Sequence, residues 1–214
     1  KLRLFLVLLL AAAVVAGWFS VFPVPFKDVF GGSGEKVTDT SIIDKYRVDF
    51  ALESSGQLTS TETLDVEFTQ YGKHGIYRIF DTRDAQYRNV QHPVTVTSVD
   101  RKTGDAWQPE PYEVTQNGGG TMTIRIGSAN RTFDPGIQKY RIVSQTNNAL
   151  TRPKDAPGGA GSQWYWDVVG SGWAMPMRAA QVTAATPPTV APPTCEASLP
   201  CTISDVDGAY RINL

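Results

Sequence analysis

Hydrophobic and polar residues alternate along several short stretches of the chain after residue 41. The alternation is clearest over Tyr46–Leu52 and Leu58–Phe68, which the turn residues Ser54, Ser55 and Gly56 separate. A period of two is typical of strands with one buried face, and a short connection that contains glycine is typical of a hairpin. These two stretches therefore predict a long β-hairpin at the start of a folded domain.

Six further stretches have strand-like patterns and are separated by turn clusters such as Asn117–Gly120. They are Gly75–Phe80, Val94–Val99, Thr121–Ile126, Gln138–Gln145, Trp164–Val169 and Ala174–Ala184. Short strands at this spacing, without a long helical period after residue 26, predict an all-β fold. We expect an antiparallel, immunoglobulin-like β-sandwich over residues 42–214.

The first 26 residues have a different pattern, an uncharged run from Leu4 to Phe22 that follows Lys1 and Arg3. Such a run is about long enough to cross a ~30 Å hydrocarbon core as a helix, and basic residues before it place its N-terminus in the cytoplasm. We expect a transmembrane anchor, and a cleaved signal segment is the alternative. The anchor residues that we single out are Leu4, Phe5, Leu9, Ala13, Val15, Gly17, Trp18 and Phe22.

Residues 27–41 are polar and rich in glycine, which predicts a flexible linker. The chain is therefore expected in the cytoplasmic membrane, in contact with the bilayer, with its β-domain on the extracytoplasmic face. Cys195 and Cys201 agree with this location, because an oxidising compartment would close them into a small disulfide loop. A metal site is the weaker interpretation, since no CxxC spacing is present.

Charge and composition exclude two classes of protein. The chain has 20 basic and 21 acidic residues and a formal net charge of −1, so no positive field favours nucleic acid as a partner. Hydrophobic residues make up 41% of the sequence, which is ordinary for a globular protein and excludes a largely disordered chain.

Tryptophans are the first candidate interaction residues. Trp164, Trp166 and Trp173 lie within ten residues of one another, and Trp107 lies earlier in the chain. Exposed indoles could stack on sugar rings or anchor an interface. Alternation would equally place Trp164 and Trp166 on the same face of one strand, where they would fill a core.

His74 and Arg78 form the second candidate group, at the start of a predicted strand. A histidine acts as a general base only with an orienting partner and a nucleophile or metal. A hydrolase that uses His74 with Asp81 or Asp167 would need these side chains to converge in a pocket. No nucleophile-elbow, zinc-protease, phosphate-loop or dinucleotide motif occurs, so we expect no enzyme, no catalytic residues, no metal and no cofactor.

Several of these segments together are similar to one known family. They are Ser55-Gly56 with Thr61-Glu62-Thr63 and Phe68, His74-Gly75-Ile76-Tyr77-Arg78, Ile124-Arg125-Ile126-Gly127, Gly136 with Tyr140, and Trp164-Tyr165-Trp166-Asp167-Val168-Val169-Gly170 with Trp173 and Pro176. In this order they resemble the YciQ-like predicted membrane proteins, a bacterial family with a domain of unknown function.

The resemblance implies an export signal or helix, an extracytoplasmic β-sandwich, and then further transmembrane helices with a Gly-rich tail. The sequence reaches Leu214 before a second hydrophobic span, so we expect a longer polypeptide. The family brings no established reaction.

Two functions fit these observations. The first is a membrane-anchored accessory or scaffold subunit of a larger integral membrane protein complex, respiratory or envelope-building. Small residues in the anchor would let it pack closely beside other helices. The alternative is a module that binds envelope glycan or another ligand through exposed tryptophans.

Overall fold

The domain consists of two β-sheets that pack around one core, and burial alternates along several of their strands. The computed structural model describes residues 39–84, 89–150, 163–170, 172–190, 192–194 and 201–214. They belong to one compact unit that begins at Asp39. Its strands are β1 (Ile42–Leu52), β2 (Leu58–Phe68), β3 (Gly75–Asp81), β4 (Val94–Thr103), β5 (Ala106–Pro109), β6 (Tyr112–Asn117), β7 (Thr121–Gly127), β8 (Gly136–Thr146), β9 (Ala180–Ala185), β10 (Thr202–Val206) and β11 (Ala209–Asn213).

The larger sheet has the strand order β10-β11-β9-β1-β2-β8-β4-β5, and the smaller sheet has the order β3-β7-β6. The predicted hairpin forms the centre of the larger sheet, where Leu52 is opposite Leu58. On the other side of β2, the pairs run without interruption from Leu58↔Thr146 to Phe68↔Gly136. The prediction of an all-β fold is confirmed, and within the described ranges no residue lies in a helix.

The core consists of the inward-facing side chains of both sheets. Those buried to less than 2% exposure include Tyr46, Val48, Leu58, Leu64, Phe68, Ile76, Met122, Ile124, Ile126, Tyr140 and Ile142. Because every second residue of a strand points to the same face, this set follows from the alternation seen in the sequence. The outer face of the larger sheet is polar and carries ion pairs such as Arg47–Asp65 at 3.4 Å and Lys139–Asp65 at 3.2 Å.

Two details of the predicted topology are wrong. The strand predicted over Trp164–Val169 does not form: Asp167 Oδ1 accepts a hydrogen bond from the Gly170 amide at 3.0 Å, so the chain turns here. The apolar side chains of this segment nevertheless pack against the core, which explains their alternation. The strand predicted from Ala174 begins only at Ala180.

One strand pair also departs from the predicted antiparallel arrangement. β1 and β9 run parallel, with Tyr46 opposite Ala180 and Ala51 opposite Ala185. Parallel neighbours cannot be joined by a tight turn and need a long connection. The connection from β1 to β9 contains β2 to β8, and its last part, between β8 and β9, reaches β1 at Ile43, whose amide donates to the Pro176 carbonyl at 2.9 Å.

No helix long and apolar enough to span a membrane occurs in the part of the chain that the structure describes. The predicted anchor, residues 1–26, lies outside that part, as does most of the predicted linker. The last residues of the linker contact the domain: Ser41 is fully buried, and Asp39 forms an ion pair with Lys73 at 2.6 Å.

Candidate functional site

Three polar side chains meet inside the core between the two sheets. Tyr46 on β1 and Glu62 on β2 come from the larger sheet, and Arg78 on β3 comes from the smaller one. Their exposures are 1%, 3% and 6%. Each is at an inward position of its strand, because at least one neighbour two residues away along the strand is also buried. The group therefore links the two sheets through polar contacts.

Glu62 accepts hydrogen bonds from both other members. The Tyr46 hydroxyl donates to Oε1 at 2.8 Å, and an Arg78 terminal nitrogen donates to the same oxygen at 2.7 Å. Arg78 Nε lies 3.2 Å from both carboxylate oxygens. The other terminal nitrogen of Arg78 donates to the Ile79 carbonyl at 2.8 Å. A buried charge is tolerated when it is paired and hydrogen-bonded in this way.

Aromatic rings and a glycine cover the guanidinium of Arg78. Its central carbon lies 4.5 Å from the ring centre of Phe80 and 4.7 Å from that of Trp173, distances typical of cation–π contacts. Gly170 has a φ of +78°, and a Cβ there would lie 2.7 Å from an Arg78 nitrogen. A side chain at residue 170 would therefore displace the guanidinium. The indole of Trp173 is held in turn, because its Nε1 donates to the Val169 carbonyl at 3.1 Å.

Electrostatics raises the pKa of both side chains that donate to Glu62. Burial lowers the pKa of Arg78, but the charge of Glu62 and the hydrogen bonds raise it by more, so the guanidinium stays charged. Burial, followed by the charge of Glu62, raises the pKa of Tyr46 well above its usual value. A protonated phenol and a charged guanidinium both donate to Glu62. This arrangement is suited to holding the sheets together.

The phenol of Tyr46 should make stability depend on pH. Its pKa is raised above the usual 10.0 by folding, so its contribution is complete below pH 10 and is lost as the pH rises. Above pH 10 we expect the free energy of unfolding to fall more steeply in the wild type than in Tyr46→Phe, by about 1.4 kcal/mol per pH unit. Urea unfolding at several pH values between 8 and 11 measures both slopes. Equal slopes would contradict this assignment.

A second buried carboxylate, Glu110, lies between β5 and β6. It is 5% exposed and pairs with Arg131 and with Arg101, whose Nε lies 3.2 Å away. Both guanidinium groups stack on Phe133, at 5.1 Å for Arg101 and 4.9 Å for Arg131. Burial and the charge of Arg101 lower the pKa of Arg131, since two cations share one carboxylate. This cluster fastens the loop around residue 131 to the larger sheet.

A third buried pair joins His92 and Asp84. His92 Nε2 lies 3.0 Å from Asp84 Oδ2, and the imidazole meets the ring of Trp166 edge to face at 5.3 Å. His92 is 4% exposed, and its Nδ1 has no hydrogen-bond partner among the described residues. An aspartate and the histidine that it orients are two of the three members of a hydrolytic triad, and a nucleophile within reach of Nδ1 would also be needed. The ring contact that the structure shows for this imidazole is with Trp166.

His74 does not combine with the aspartates proposed for a hydrolase. It is exposed, and its Nδ1 lies 2.8 Å from the Arg131 carbonyl oxygen. His74 precedes β3 and Asp81 ends it, so the two are about 20 Å apart at 3.3 Å per residue. Asp167 acts electrostatically on Arg78 near the middle of β3. Among the described residues, no group of three or more potential metal ligands occurs.

The candidate tryptophans do not share one surface. Trp164 packs edge to face on Phe50 at 5.6 Å, and Trp166 and Trp173 also pack against the core. Trp107 lies on the outer face of the larger sheet, where the Arg141 guanidinium stacks on it at 4.8 Å. A glycan platform needs at least two indoles on one solvent-facing patch, and these four residues do not form such a patch.

The side of β6 that faces away from β7 has no neighbouring strand among the described residues. The Gly127 amide donates to the Pro111 carbonyl at 2.8 Å, which fixes the alternation of hydrogen bonds between β6 and β7. Backbone groups of Glu113 and Thr115 therefore point to β7. Those of Tyr112, Val114 and Gln116 point away from it, and we call these three residues the β6 edge.

Side chains at the β6 edge are exposed although they lie on the core-facing side of their sheet. Tyr112 is opposite Ile126 and Val114 is opposite Ile124, both of which are buried. Tyr112 is nevertheless 36% exposed and Val114 47%. Among the described residues the smaller sheet therefore ends in a strand that is unpaired on its outer side and has accessible apolar groups, a geometry that binds extended segments by strand addition.

The other edge of this sheet is covered. On β3, the Ile79 amide donates to the Gly172 carbonyl at 3.2 Å. Gly172 fits so closely that a Cβ at this residue would overlap the Ile79 carbonyl oxygen. Only one edge of the smaller sheet is thus open among the described residues.

Some predicted site residues cannot be placed. Leu4, Phe5, Leu9, Ala13, Val15, Gly17, Trp18 and Phe22 lie outside the described residues, and so does Cys195. The disulfide between Cys195 and Cys201 stays a prediction.

Sequence analysis missed the partners of Arg78 and the pairs at Glu110 and His92. A signal was present for the first, because Glu62 stands in the alternating series Leu58, Ser60, Glu62, Leu64, which places its side chain on the buried face of the strand. Glu110 and His92 lie in connections between strands, where no periodic pattern reports burial.

The fold and these sites can be compared with known proteins. Residues 42–212 match the family model described as the N-terminal domain of a predicted membrane protein, DUF2207. The match covers most of the chain, so the chain belongs to this family of predicted membrane proteins. A comparison with curated proteins gives no match.

Several solved structures are similar in fold. Native yeast LTA4 hydrolase aligns with 11% identity and a TM-score of 0.50, over 90% of this chain and 31% of that one. An M1 zinc metallopeptidase from Deinococcus radiodurans aligns with 13% identity and a TM-score of 0.43, over 86% of this chain and 40% of that one. The chain thus spans less than half the length of these proteins. The alignment with the yeast protein, at 11% identity, shows a shared fold and nothing about activity.

Proposed function

We propose that the chain is a membrane-anchored accessory or scaffold subunit whose β-domain lies on the extracytoplasmic face of the cytoplasmic membrane. The observation that supports assembly most is the β6 edge, whose outer side is unpaired among the described residues, with Tyr112 and Val114 exposed, and is open to a second copy or to a different polypeptide. Proteins usually protect such edges, and an open one favours association with another polypeptide. The polar groups inside the domain are tied to one another, so they support a rigid body that presents this edge.

The attachment of the chain at Asp39 also supports a scaffold. Asp39 pairs with Lys73, and the Thr69 hydroxyl donates to the Thr40 carbonyl at 3.0 Å. Residues that arrive from the predicted anchor are therefore fastened to the loop between β2 and β3. A tether fixed in this way would hold the domain close to a partner in the membrane.

Within its family, we propose that the chain groups with the YciQ-like members. The series Thr61-Glu62-Thr63 and His74 to Arg78 supports this, because it contains both halves of the buried ion pair between the sheets. The rest of such a polypeptide would add further transmembrane helices.

Purification of the full-length protein in mild detergent, followed by mass spectrometry, tests the accessory role. We expect integral membrane proteins to copurify in constant ratio. Ala13 and Gly17 are four residues apart, so they would share one face of the predicted helix and allow close packing. Ala13→Leu should reduce copurification several-fold, whereas Leu9→Ile, which conserves volume, should not. A monodisperse protein without partners would contradict the proposal.

A further inference from the structure

We propose that the β6 edge pairs with the β6 edge of a second copy of this chain. The two strands would run antiparallel about a twofold axis at Val114 and join two small sheets into one of six strands. The inference rests on the proposed function, because a membrane tether raises the local concentration of the copies. The partner complex would still be contacted through the predicted anchor.

Backbone geometry supports this register. Tyr112, Val114 and Gln116 point their amide and carbonyl groups away from β7. In the proposed pair, Val114 is opposite Val114 of the second copy, and Tyr112 is opposite Gln116. All three positions then become hydrogen-bonded pairs of an antiparallel ladder, which is the pattern that their free groups require.

In the same register, the β6 side chains of one copy are compatible with those of the second copy. Glu113 would lie opposite Thr115 of the second copy, so the two carboxylates do not face each other. Each Glu113 is also neutralised within its own chain by Arg125, at 2.7 Å. The exposed valines would meet at the axis and exclude water from each other.

β6 has few of the features that protect an edge strand from pairing, and its one charged residue, Glu113, is paired with Arg125. Common protective features are proline, lysine, a bulge or a covering segment. β6 contains neither proline nor lysine, and its register with β7 is continuous from Tyr112 to Asn117. β3, at the other side of the sheet, is covered by Gly172 at Ile79.

Cysteine cross-linking of the full-length chain in membranes tests the register. Two differently tagged chains are coexpressed, one with Glu113→Cys and the other with Thr115→Cys. Cα atoms of these opposite residues would be about 4.5 Å apart, which a disulfide can bridge. Identical positions would be offset by two residues, about 8 Å apart and beyond disulfide reach. We expect a disulfide between the two tags, and none when either variant, or the wild type with its native cysteines, is oxidised alone.

Charge variants measure the affinity of the same contact in detergent by native mass spectrometry or ultracentrifugation. Val114→Lys places two ammonium groups at the axis and should weaken dimerisation about tenfold or more. Thr115→Lys, its exposed neighbour, faces Glu113 of the second copy and should not weaken it.

The cross-linking and copurification experiments test the two proposals separately. Absence of the disulfide between the two tagged chains, or a disulfide to a different protein, overturns the pairing of two copies. A dimeric wild type that copurifies with no membrane protein contradicts the accessory role instead.

Discussion

Replacing Arg78 with methionine is expected to lower the free energy of unfolding by about 3–5 kcal/mol. Glu62 would remain in the core without its charged partner, and among the described residues only the Tyr46 hydroxyl would still donate to it. Single domains are typically stable by about 5–15 kcal/mol, so this one substitution could remove much of the total. Urea unfolding followed by tryptophan fluorescence measures the loss, since Trp173 contacts the substituted side chain.

Two controls separate the buried charge from other effects of this substitution. The double variant Arg78→Met with Glu62→Met removes both charges and should recover most of the loss, because a buried ion pair can often be replaced by apolar residues at little cost. Arg125→Met breaks the exposed pair with Glu113 and should cost less than about 1 kcal/mol. If the single variant at Arg78 costs no more than the one at Arg125, the buried pair does not hold the sheets together.

Alternation predicted the central strands of the fold and failed where burial does not alternate. β1, β2, β3, β7 and β8 each place buried side chains at every second residue over part of their length, the first half of β4 alternates half-buried with exposed side chains, and each of these strands overlaps a predicted one. β6 is exposed at nearly every position, and β5 and β10 are also largely exposed. These strands form because a neighbouring strand supplies the backbone hydrogen bonds. Their own side chains do not alternate between buried and exposed, so the sequence pattern does not predict them.

The segment Trp164–Val169 illustrates the opposite error. Its apolar residues do alternate, and they do face the core. Burial of alternate side chains requires an extended backbone but no ladder, and Asp167 and Gly170 turn this segment before it could pair along its length. A periodic pattern therefore reports which side chains are buried more reliably than it reports strand pairing.

The candidate site shows the same division between local and long-range information. Glu62 and Arg78 could each be placed inside the core from their own strands, because Leu64 and Ile76 continue the buried series beside them. Their pairing could not be predicted, since it depends on which face of the smaller sheet covers β2. The open side of β6 depends on sheet order in the same way.

Replacing Gly75 with alanine should destabilise the domain by about 2–6 kcal/mol, which combines backbone strain with overpacking. Gly75 has a φ of +151°, and a Cβ there would overlap the carbonyl oxygen of Ile126 on β7. Gly127 is paired with Gly75, and a Cβ on it would overlap the His74 carbonyl oxygen. The two strands therefore approach at this end more closely than any side chain allows.

Gly136→Ala is the matched control, since Gly136 has a similar φ of +141° and nothing within 4 Å of an added Cβ. It should lose only the cost of backbone strain, about 1–3 kcal/mol. Any further loss of unfolding free energy in Gly75→Ala measures the effect of the close approach of β3 to β7.

β3 also carries Arg78, so separating the strands would move the guanidinium away from Glu62. Gly75→Ala should therefore lose part of the pH dependence assigned to Tyr46, whereas Gly136→Ala should keep it. Equal losses of stability in both variants would contradict a role for the close approach.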